Sequence, residues 1–150
     1  MTGTTTTSAR AMGEDECWNL LARGTLGRLA VTGSKGPEIF PVTYVVDGPS
    51  VLFRTAPGAK LIAMALDARV AFEADEYDDV SAASVVVQGV ARSLTVQSEI
   101  DAAESLGLVS WLPTLKYRWV RIAAGSISGR RFQRGPEPAR YRASLVDDIT

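Results

Sequence analysis

The sequence predicts a mainly β protein in which short helices interrupt an antiparallel barrel of six strands. Segments rich in branched and aromatic residues recur along the chain, and the turn sequences Gly-Ser-Lys-Gly at Gly33 and Asp-Gly-Pro-Ser at Asp47 separate the first three. A parallel sheet is not expected, because it would need a full helix after each strand and the chain has no Gly-rich dinucleotide turn. A closed or nearly closed barrel leaves few strand edges exposed.

The first half of the chain is predicted to contain two helices and three strands. Glu14–Arg23 reads as a short helix, because its acidic residues come first, Arg23 lies in the last turn and Gly24 can end it. Ala59–Leu66 is predicted to form a second short helix, with its larger apolar residues on one side. The strands are predicted over Leu26–Thr32, Glu38–Val46 and Val51–Thr55.

The second half supplies three more strands and one helix. Ser98, followed three residues later by Asp101, indicates a variant capping box that opens a helix to Leu106, and Gly107 supplies its stop. The predicted strands are Arg69–Tyr77, Ser84–Val96 and Lys116–Ala123, with Ile127–Phe132 as an extension of the last.

One domain is expected, over residues 13–133, with a tail at each end. Residues 1–12 form a Thr-rich polar run with little to bury, so we expect them to be disordered. Residues 134–150 contain Gly135, Pro136 and Pro138, and we expect this C-terminal tail to be partly flexible or packed on a partner subunit.

Composition excludes several classes of function. The formal charge of −1 gives no broad positive field, so neither nucleic acid nor a membrane is expected as a partner. With no His and with Cys17 as the one cysteine, the usual zinc sites, imidazole catalysis and an intramolecular disulfide are all excluded. No metal site is predicted, since the acidic run from Glu73 to Asp79 lacks a metal-loop spacing and reads as a solvated strand end. Without a signal-like apolar segment, cytoplasmic residence is the default expectation.

The most informative stretch for function runs from Phe53 to Lys60, where a strand turns through Pro-Gly into a helix. Thr55 can donate a hydrogen bond, Gly58 lets the backbone approach a ligand, and Lys60 adds positive charge at a helix start, which together suit a phosphate. Arg54 adds a second cation. The alternative is a solvated turn with ordinary surface cations.

Two other stretches suit the edge of a flat heterocycle. Strand alternation places Arg28 and Ala30 on one face, where the guanidinium can bind a polar ring edge and the small alanine leaves room, although a lone strand arginine is usually solvated or ion-paired. Pro41 within an apolar strand marks a sheet edge, a bulge or a ligand-facing segment, because proline cannot donate a ladder hydrogen bond. Backbone groups near Val42 and the Thr43 hydroxyl would then be available to a ligand, with an ordinary edge strand as the alternative.

The ordered series of these segments resembles the FMN-binding split-barrel superfamily, specifically pyridoxamine 5'-phosphate oxidase-like proteins. The segments that carry the resemblance are GRLAV from Gly27, PVTYVVDG from Pro41, FRTAPGAK from Phe53, RVAFEAD from Arg69, SVVVQGVA from Ser84 and RWVRI from Arg118. The resemblance covers about Glu16 to Phe132 and implies a six-stranded antiparallel split β-barrel, a homodimer, and FMN bound in clefts between subunits.

Carried over residue by residue, the resemblance implies a phosphate held by Thr55 and Lys60 and a ring near Arg28, Ala30 and the segment from Pro41 to Thr43. Gln88 would face the same cleft, and Trp111 and Trp119 are candidates for a wall contributed by the partner, with simple interface core as the alternative. The cofactor-binding set predicted in this way is Arg28, Ala30, Pro41, Val42, Thr43, Arg54, Thr55, Lys60, Gln88 and Trp111.

The sequence departs from the family pattern at Ala82-Ala83, where many relatives carry a tryptophan, so a wider pocket is expected there. The leading hypothesis is an FMN-dependent oxidoreductase that acts on a small-molecule substrate, with a reduced nicotinamide or an organic molecule as hydride donor. One alternative is a deazaflavin-dependent reductase, whose cofactor has a long acidic tail; candidate cations for that tail are Arg54, Lys60, Lys116, Arg118 and Arg121. The other is a non-catalytic flavin- or haem-binding protein. No catalytic residue is predicted.

Overall fold

The computed structural model describes residues 9–109 and 118–135. In chain order the elements are β1 Ala9–Ala11, α1 Glu14–Arg23, β2 Leu26–Gly33, β3 Gly36–Thr43, β4 Val45–Asp47, β5 Ser50–Thr55, α2 Ala59–Leu66, β6 Arg69–Tyr77, β7 Ser81–Ser93, α3 Gln97–Glu104 and β8 Arg118–Gln133. All strand pairs are antiparallel and form one sheet in the order β3-β2-β6-β7-β8-β5-β4, with β1 added to β8. The predicted fold class, a mainly β split barrel with short helices, is confirmed.

Within the described residues the sheet has eight strands instead of the six predicted. The segment expected as one strand over Glu38–Val46 is broken at Tyr44, which lies between β3 and β4. Its backbone N–H still donates to the Thr25 carbonyl oxygen (3.1 Å), one residue beyond the last β2–β3 pair of Leu26 with Thr43. The other extra strand is β1, which pairs with the end of β8. The prediction of disorder is therefore wrong for Ala9–Ala11, because backbone pairing with β8 orders a segment that buries few side chains.

Of the described elements, three helices and four strands lie where the sequence places them, within small shifts, the strands being β2, β5, β6 and β7. The bounds of α1, α2 and β6 are those predicted, whereas β7 begins and ends three residues earlier. The predicted capping box is wrong, because α3 begins at Gln97 and places Ser98 inside the first turn. Instead, the Gln97 amide donates a 2.8 Å hydrogen bond to the carboxylate of Asp101.

Two hydrophobic clusters stabilise the fold. The main one lies inside the curled sheet, where α1 contributes Cys17, Leu20 and Leu21 against the inward side chains of the strands. The second lies on the other face of β5 and β8, where α3 covers Leu52 and Trp119. None of the helices in residues 9–109 and 118–135 is long and apolar enough to cross a membrane.

Candidate functional site

Strand β3 ends the main sheet path and, among the strands that the structure describes, forms a ladder with β2 alone. Pro41 is exposed on this edge strand, opposite Arg28, so the sheet edge is the one of its three predicted positions that the described residues show. The backbone N–H and C=O groups of β3 that point away from β2 thus take part in no ladder among the described residues. The stretch from Pro41 to Thr43 therefore offers main-chain donors and acceptors at an open sheet edge.

The start of α2 lies against β3. The Lys60 ammonium is 5.2 Å from the centroid of the Phe40 ring, and Phe40 immediately precedes Pro41. The first helical hydrogen bond of α2 runs from the Ile62 N–H to the Gly58 carbonyl oxygen (3.1 Å), so the amides before Ile62 have no acceptor within the helix. The space around the Gly58 Cα is open, with no atom within 4 Å of where a Cβ would lie. A cation and helix-terminal amides thus converge beside β3, which suits an anionic group.

The two residues at the end of β5 point in opposite directions. Thr55 is buried, and its hydroxyl donates to the Ala56 carbonyl oxygen (3.1 Å), so it stabilises the turn between β5 and α2. Arg54 points to the second cluster, where its guanidinium lies 5.3 Å from the Trp119 ring centroid and 3.7 Å from the Glu104 carboxylate. The structure thus places Arg54 away from the Lys60 ammonium and the first backbone amides of α2.

A row of small and polar side chains crosses the outer face of the sheet, which we define as the face that carries Arg28, Ala30 and Gln88. In this row Ala30 opposes Ala71, Ala71 opposes Gln88, and Gln88 opposes Ser126. These residues line an open groove of about 570 Å³. The structure therefore brings Ala30 and Gln88 into one groove, and their place in a cofactor cleft stays a prediction.

Arg28 lies next to this row and is held by two carboxylates. Its Nη1 atom is 3.4 Å from Glu73 Oε1 and 3.5 Å from Asp75 Oδ1. Partial burial and then the Asp75 charge raise the pKa of the Glu73 carboxyl, while Arg28 opposes that shift. Arg28 is thus ion-paired, which is the ordinary role considered for a strand arginine, and it also stays about half exposed beside Pro41.

The remaining predicted site residues are placed as follows. The Val42 side chain is buried in the main cluster, and Thr43 is half-buried at the end of β3. The Tyr44–Thr25 bond sets the alternation of the β2–β3 ladder, so the Val42 backbone faces Gly27 on β2, and the backbone groups of Pro41 and Thr43 face the open edge. Trp119 is enclosed by its own chain, where its indole N–H donates a 2.8 Å hydrogen bond to Glu104, so the expectation that it forms a wall for the partner is wrong. Trp111 and Lys116 lie outside the described residues.

Sequence reasoning did not identify Phe40 and Glu73 as parts of this region. The Phe40 contact with Lys60 depends on how α2 packs on β2 and β7, for which the sequence carries no local signal. The Glu73 contact with Arg28 depends on the β2–β6 register, which joins strands separated by more than thirty residues. By contrast, the short turn after Gly33 predicted the β2–β3 hairpin, in which the structure pairs Arg28 with Pro41.

The family model described as pyridoxamine 5'-phosphate oxidase matches residues 13–131. The chain belongs to this family. A candidate pyridoxamine 5'-phosphate oxidase from Corynebacterium glutamicum has a solved structure with a TM-score of 0.79 and 42% identity, covering 87% of this chain and 98% of that one. The FAD binding protein from Mycobacterium smegmatis gives a TM-score of 0.71 at 40% identity over 83% and 98% of the two chains. An uncharacterised Mycobacterium tuberculosis protein, Rv3129, is 44% identical over 96 residues, which cover 64% of this chain and 87% of that protein.

Membership in the pyridoxamine 5'-phosphate oxidase family confirms the superfamily resemblance found in the sequence. The matched region begins at Gly13 and ends at Arg131, close to the predicted domain of residues 13–133. It therefore contains the edge of β3, the start of α2 and the groove on the outer face.

Proposed function

We propose that this family member is an FMN-dependent oxidoreductase whose cofactor lies along the open edge of β3. The observation that carries the proposal is the contact of Lys60, at the first turn of α2, with Phe40 beside Pro41. This contact puts a cation and helix amides at one end of β3. The outward backbone groups of β3 take part in no ladder among the described residues. An anionic phosphate and a flat ring with polar edges fit these two features together.

Different residues would bind different parts of the cofactor. Lys60 and the first amides of α2 would hold the phosphate. The backbone groups of Pro41 and Thr43 would hydrogen-bond the ring edge, and Arg28 would lie beside it. Thr55 would stabilise the turn, because its hydroxyl is already directed to Ala56. Arg54 would take no part in the phosphate site, since Glu104 and Trp119 hold it elsewhere.

FMN, when bound, accepts a hydride from a reduced nicotinamide or an organic donor and passes the electrons onward. The chain would bind and orient the cofactor and exclude water from it. No acid or base from a histidine is possible, because the sequence has none, and the Cys17 thiol is buried in the core. This distribution of groups fits a protein whose cofactor carries the chemistry.

A second copy of the chain is proposed to cover the outer face. Ile39, Val86 and Val90 are 69%, 37% and 53% exposed on that face, beside the groove that contains Ala30 and Gln88. Exposed apolar groups of this kind next to a groove are typical of an interface. Light scattering on the purified protein should give the mass of a homodimer, and Val90→Asp should shift it towards the monomer. A wild-type monomer at micromolar concentration would contradict this part.

FAD is the second candidate cofactor, because the Mycobacterium smegmatis protein that is 40% identical to this chain is described as binding FAD. A deazaflavin is less favoured. Of the cations proposed for its acidic tail, Arg54 pairs with Glu104 and Arg121 pairs with Asp47 at 3.0 Å.

The test is titration of the apoprotein with FMN, FAD, a deazaflavin cofactor and riboflavin, which lacks the phosphate. We expect FMN to bind most tightly. Lys60→Gln should weaken FMN binding about tenfold or more, which corresponds to ~1.4 kcal/mol, and leave riboflavin binding unchanged. Lys35→Gln, on the exposed turn between β2 and β3, is the matched control.

Two results of the titration would overturn parts of this proposal. If FAD or the deazaflavin binds more tightly than FMN, that molecule and not FMN is the cofactor. If Lys60→Gln loses FMN and riboflavin affinity equally, the phosphate is not bound at the start of α2. Anaerobic addition of NADH or NADPH should bleach the bound flavin; a flavin reduced by neither these nor an organic donor would favour a non-catalytic binding protein.

A further inference from the structure

The carboxylates around Arg28 form a small cluster with more negative than positive charge. Arg28 contributes one positive charge, while Glu73 and Asp75 contribute two carboxylates at 3.4 and 3.5 Å from the same guanidinium nitrogen. Strand β7 adds no charge here, because Val86 lies opposite Glu73 and Ser84 lies opposite Asp75. Within the described ladders, the charge of this cluster is therefore set by these three side chains.

The register of the sheet puts this cluster beside the proposed flavin edge. Arg28 pairs with Pro41 on β3 and with Glu73 on β6, so the three residues form one row across three strands. Directly opposed residues in an antiparallel pair have Cβ atoms about 4.5–5.5 Å apart. Arg28 therefore lies one strand from the β3 edge, and Glu73 lies one strand further.

We propose that Glu73 is a positioning residue that, with Asp75, holds Arg28 beside the flavin ring and offsets its charge, so that the bound flavin is harder to reduce than Arg28 alone would make it. The inference rests on the proposed flavin site. Its physical basis is that reduction adds negative charge to the ring, which a nearby guanidinium favours and nearby carboxylates oppose. Arg28 cannot give its full stabilisation to the reduced ring while two carboxylates hold it.

Partial burial strengthens this role for Glu73. Its side chain is less exposed than those of Arg28 and Asp75. A buried charge is screened less by solvent than an exposed one, so Glu73 should have the larger influence of the two carboxylates. We therefore expect Glu73→Gln to have a larger effect than Asp75→Asn.

The experiment measures the reduction potential of bound flavin in the full chain loaded with FMN. Glu73→Gln should raise the affinity for reduced over oxidised flavin about tenfold, which is ~30 mV for a two-electron couple. Arg28→Gln should shift the potential the other way. The matched control is Asp67→Asn, which removes the carboxylate partner of Arg69 at the same groove but leaves the Arg28 cluster intact.

The double variant Arg28→Gln/Glu73→Gln separates action through Arg28 from a direct effect of the Glu73 charge. If Glu73 acts through Arg28, the Glu73→Gln shift should fall to less than half in the Arg28→Gln background. An undiminished shift would overturn the positioning role, and no shift in Glu73→Gln alone would overturn the inference entirely. Failure of the proposed function looks different, because the wild-type protein would then not bind flavin at all.

Discussion

The Tyr44 hydroxyl donates a 2.7 Å hydrogen bond to the carbonyl oxygen of Leu21, in the last turn of α1. The same carbonyl accepts the Gly24 N–H at 3.1 Å, so one oxygen serves both the helix end and the tyrosine. Tyr44 is only 2% exposed, and its ring meets the edge of Phe72 with centroids 4.8 Å apart. This bond therefore fixes α1 against the break between β3 and β4, next to the proposed flavin edge.

Tyr44→Phe should destabilise the protein by ~1–2 kcal/mol, because it removes a buried hydrogen bond while keeping the ring. The measurement is urea unfolding followed by circular dichroism, where the midpoint should fall without a change in slope. Tyr77→Phe is the control, since Tyr77 is 78% exposed and should give no measurable change. Equal midpoints for Tyr44→Phe and wild type would show that water replaces the bond without loss.

Tyr44 should also make stability depend on pH in the alkaline range. Burial, and then the charge of Glu76, raise the pKa of Tyr44 to about 12 from an ordinary value of 10.0. Because the folded state disfavours the tyrosinate, this contribution is fully present below pH 10 and is lost as the pH rises towards 12. The difference in unfolding free energy between wild type and Tyr44→Phe should therefore shrink between pH 10 and pH 12. A constant difference across that range would contradict the raised pKa.

Gly89 and Gly125 both line the groove on the outer face but differ in the space around them. A Cβ at Gly89 would overlap the backbone carbonyl oxygen of Ala123, at the point where the β7–β8 register shifts. A Cβ at Gly125 would be 3.4 Å from the Gln88 carbonyl oxygen, which is ordinary contact. We expect Gly89→Ala to cost ~1–3 kcal/mol in thermal or urea unfolding, through overpacking, and Gly125→Ala to cost well under that. Equal losses would contradict the close approach at the bulge.

Glu76 connects β6 to two arginines from other elements. Its carboxylate lies 2.8 Å from Arg23 at the end of α1 and 3.3 Å from Arg131 on β8. The bond from Arg23 is the main reason that the pKa of Glu76 is lowered from 4.5. The contribution of Glu76 to the free energy of unfolding is therefore present above pH 4.5 and is lost as the pH falls through its lowered pKa.

Glu76→Gln should cost about 0.5–1 kcal/mol at pH 7, because the pairs are partly exposed. The loss should shrink in 1 M salt and disappear at acidic pH, where wild-type Glu76 is also neutral. Urea unfolding at pH 7 and in the acidic range checks both expectations. Asp79→Asn, on the exposed β6–β7 turn, is the control, and a loss for Glu76→Gln that does not change with pH would contradict the ionic explanation.

Local patterns predicted most of the elements because their causes are local. Alternating exposure along β2 follows from the period of a strand, and α1 has acids at its start and Arg23 at its end, as a helix dipole favours. The turn after Gly33 predicted the β2–β3 hairpin, whereas the pairing of Pro41 with Arg28 and its place on an edge strand come from the structure. The predicted parts needed no information about the rest of the chain.

The parts that sequence missed depend on contacts between distant segments. Tyr44 separates β3 from β4, and its hydroxyl bonds to the Leu21 carbonyl oxygen in α1, a contact that no pattern within β3 indicates. Likewise, Arg54 and Lys60 are close in sequence and were assigned to one phosphate site. The pleat of β5 sends Arg54 to the other face of the sheet, and α3 then supplies Glu104 as its partner. Register and helix packing, rather than residue type, decide these outcomes.

Glu104 connects α3 to the second hydrophobic cluster through two contacts. Its carboxylate accepts a 2.8 Å hydrogen bond from the buried indole N–H of Trp119 and lies 3.7 Å from Arg54. Glu104→Ala would leave the indole N–H without this acceptor, so we expect a loss of ~1–3 kcal/mol in unfolding free energy. Glu104→Gln should lose less, because the amide oxygen can still accept from the indole while the ion pair with Arg54 is removed. Differential scanning calorimetry ranks the three proteins, and because α3 lies across the sheet from Lys60, FMN affinity should be the same in all of them. An FMN affinity that rises in Glu104→Gln would show that the released Arg54 reaches the phosphate, and would contradict its exclusion from that site.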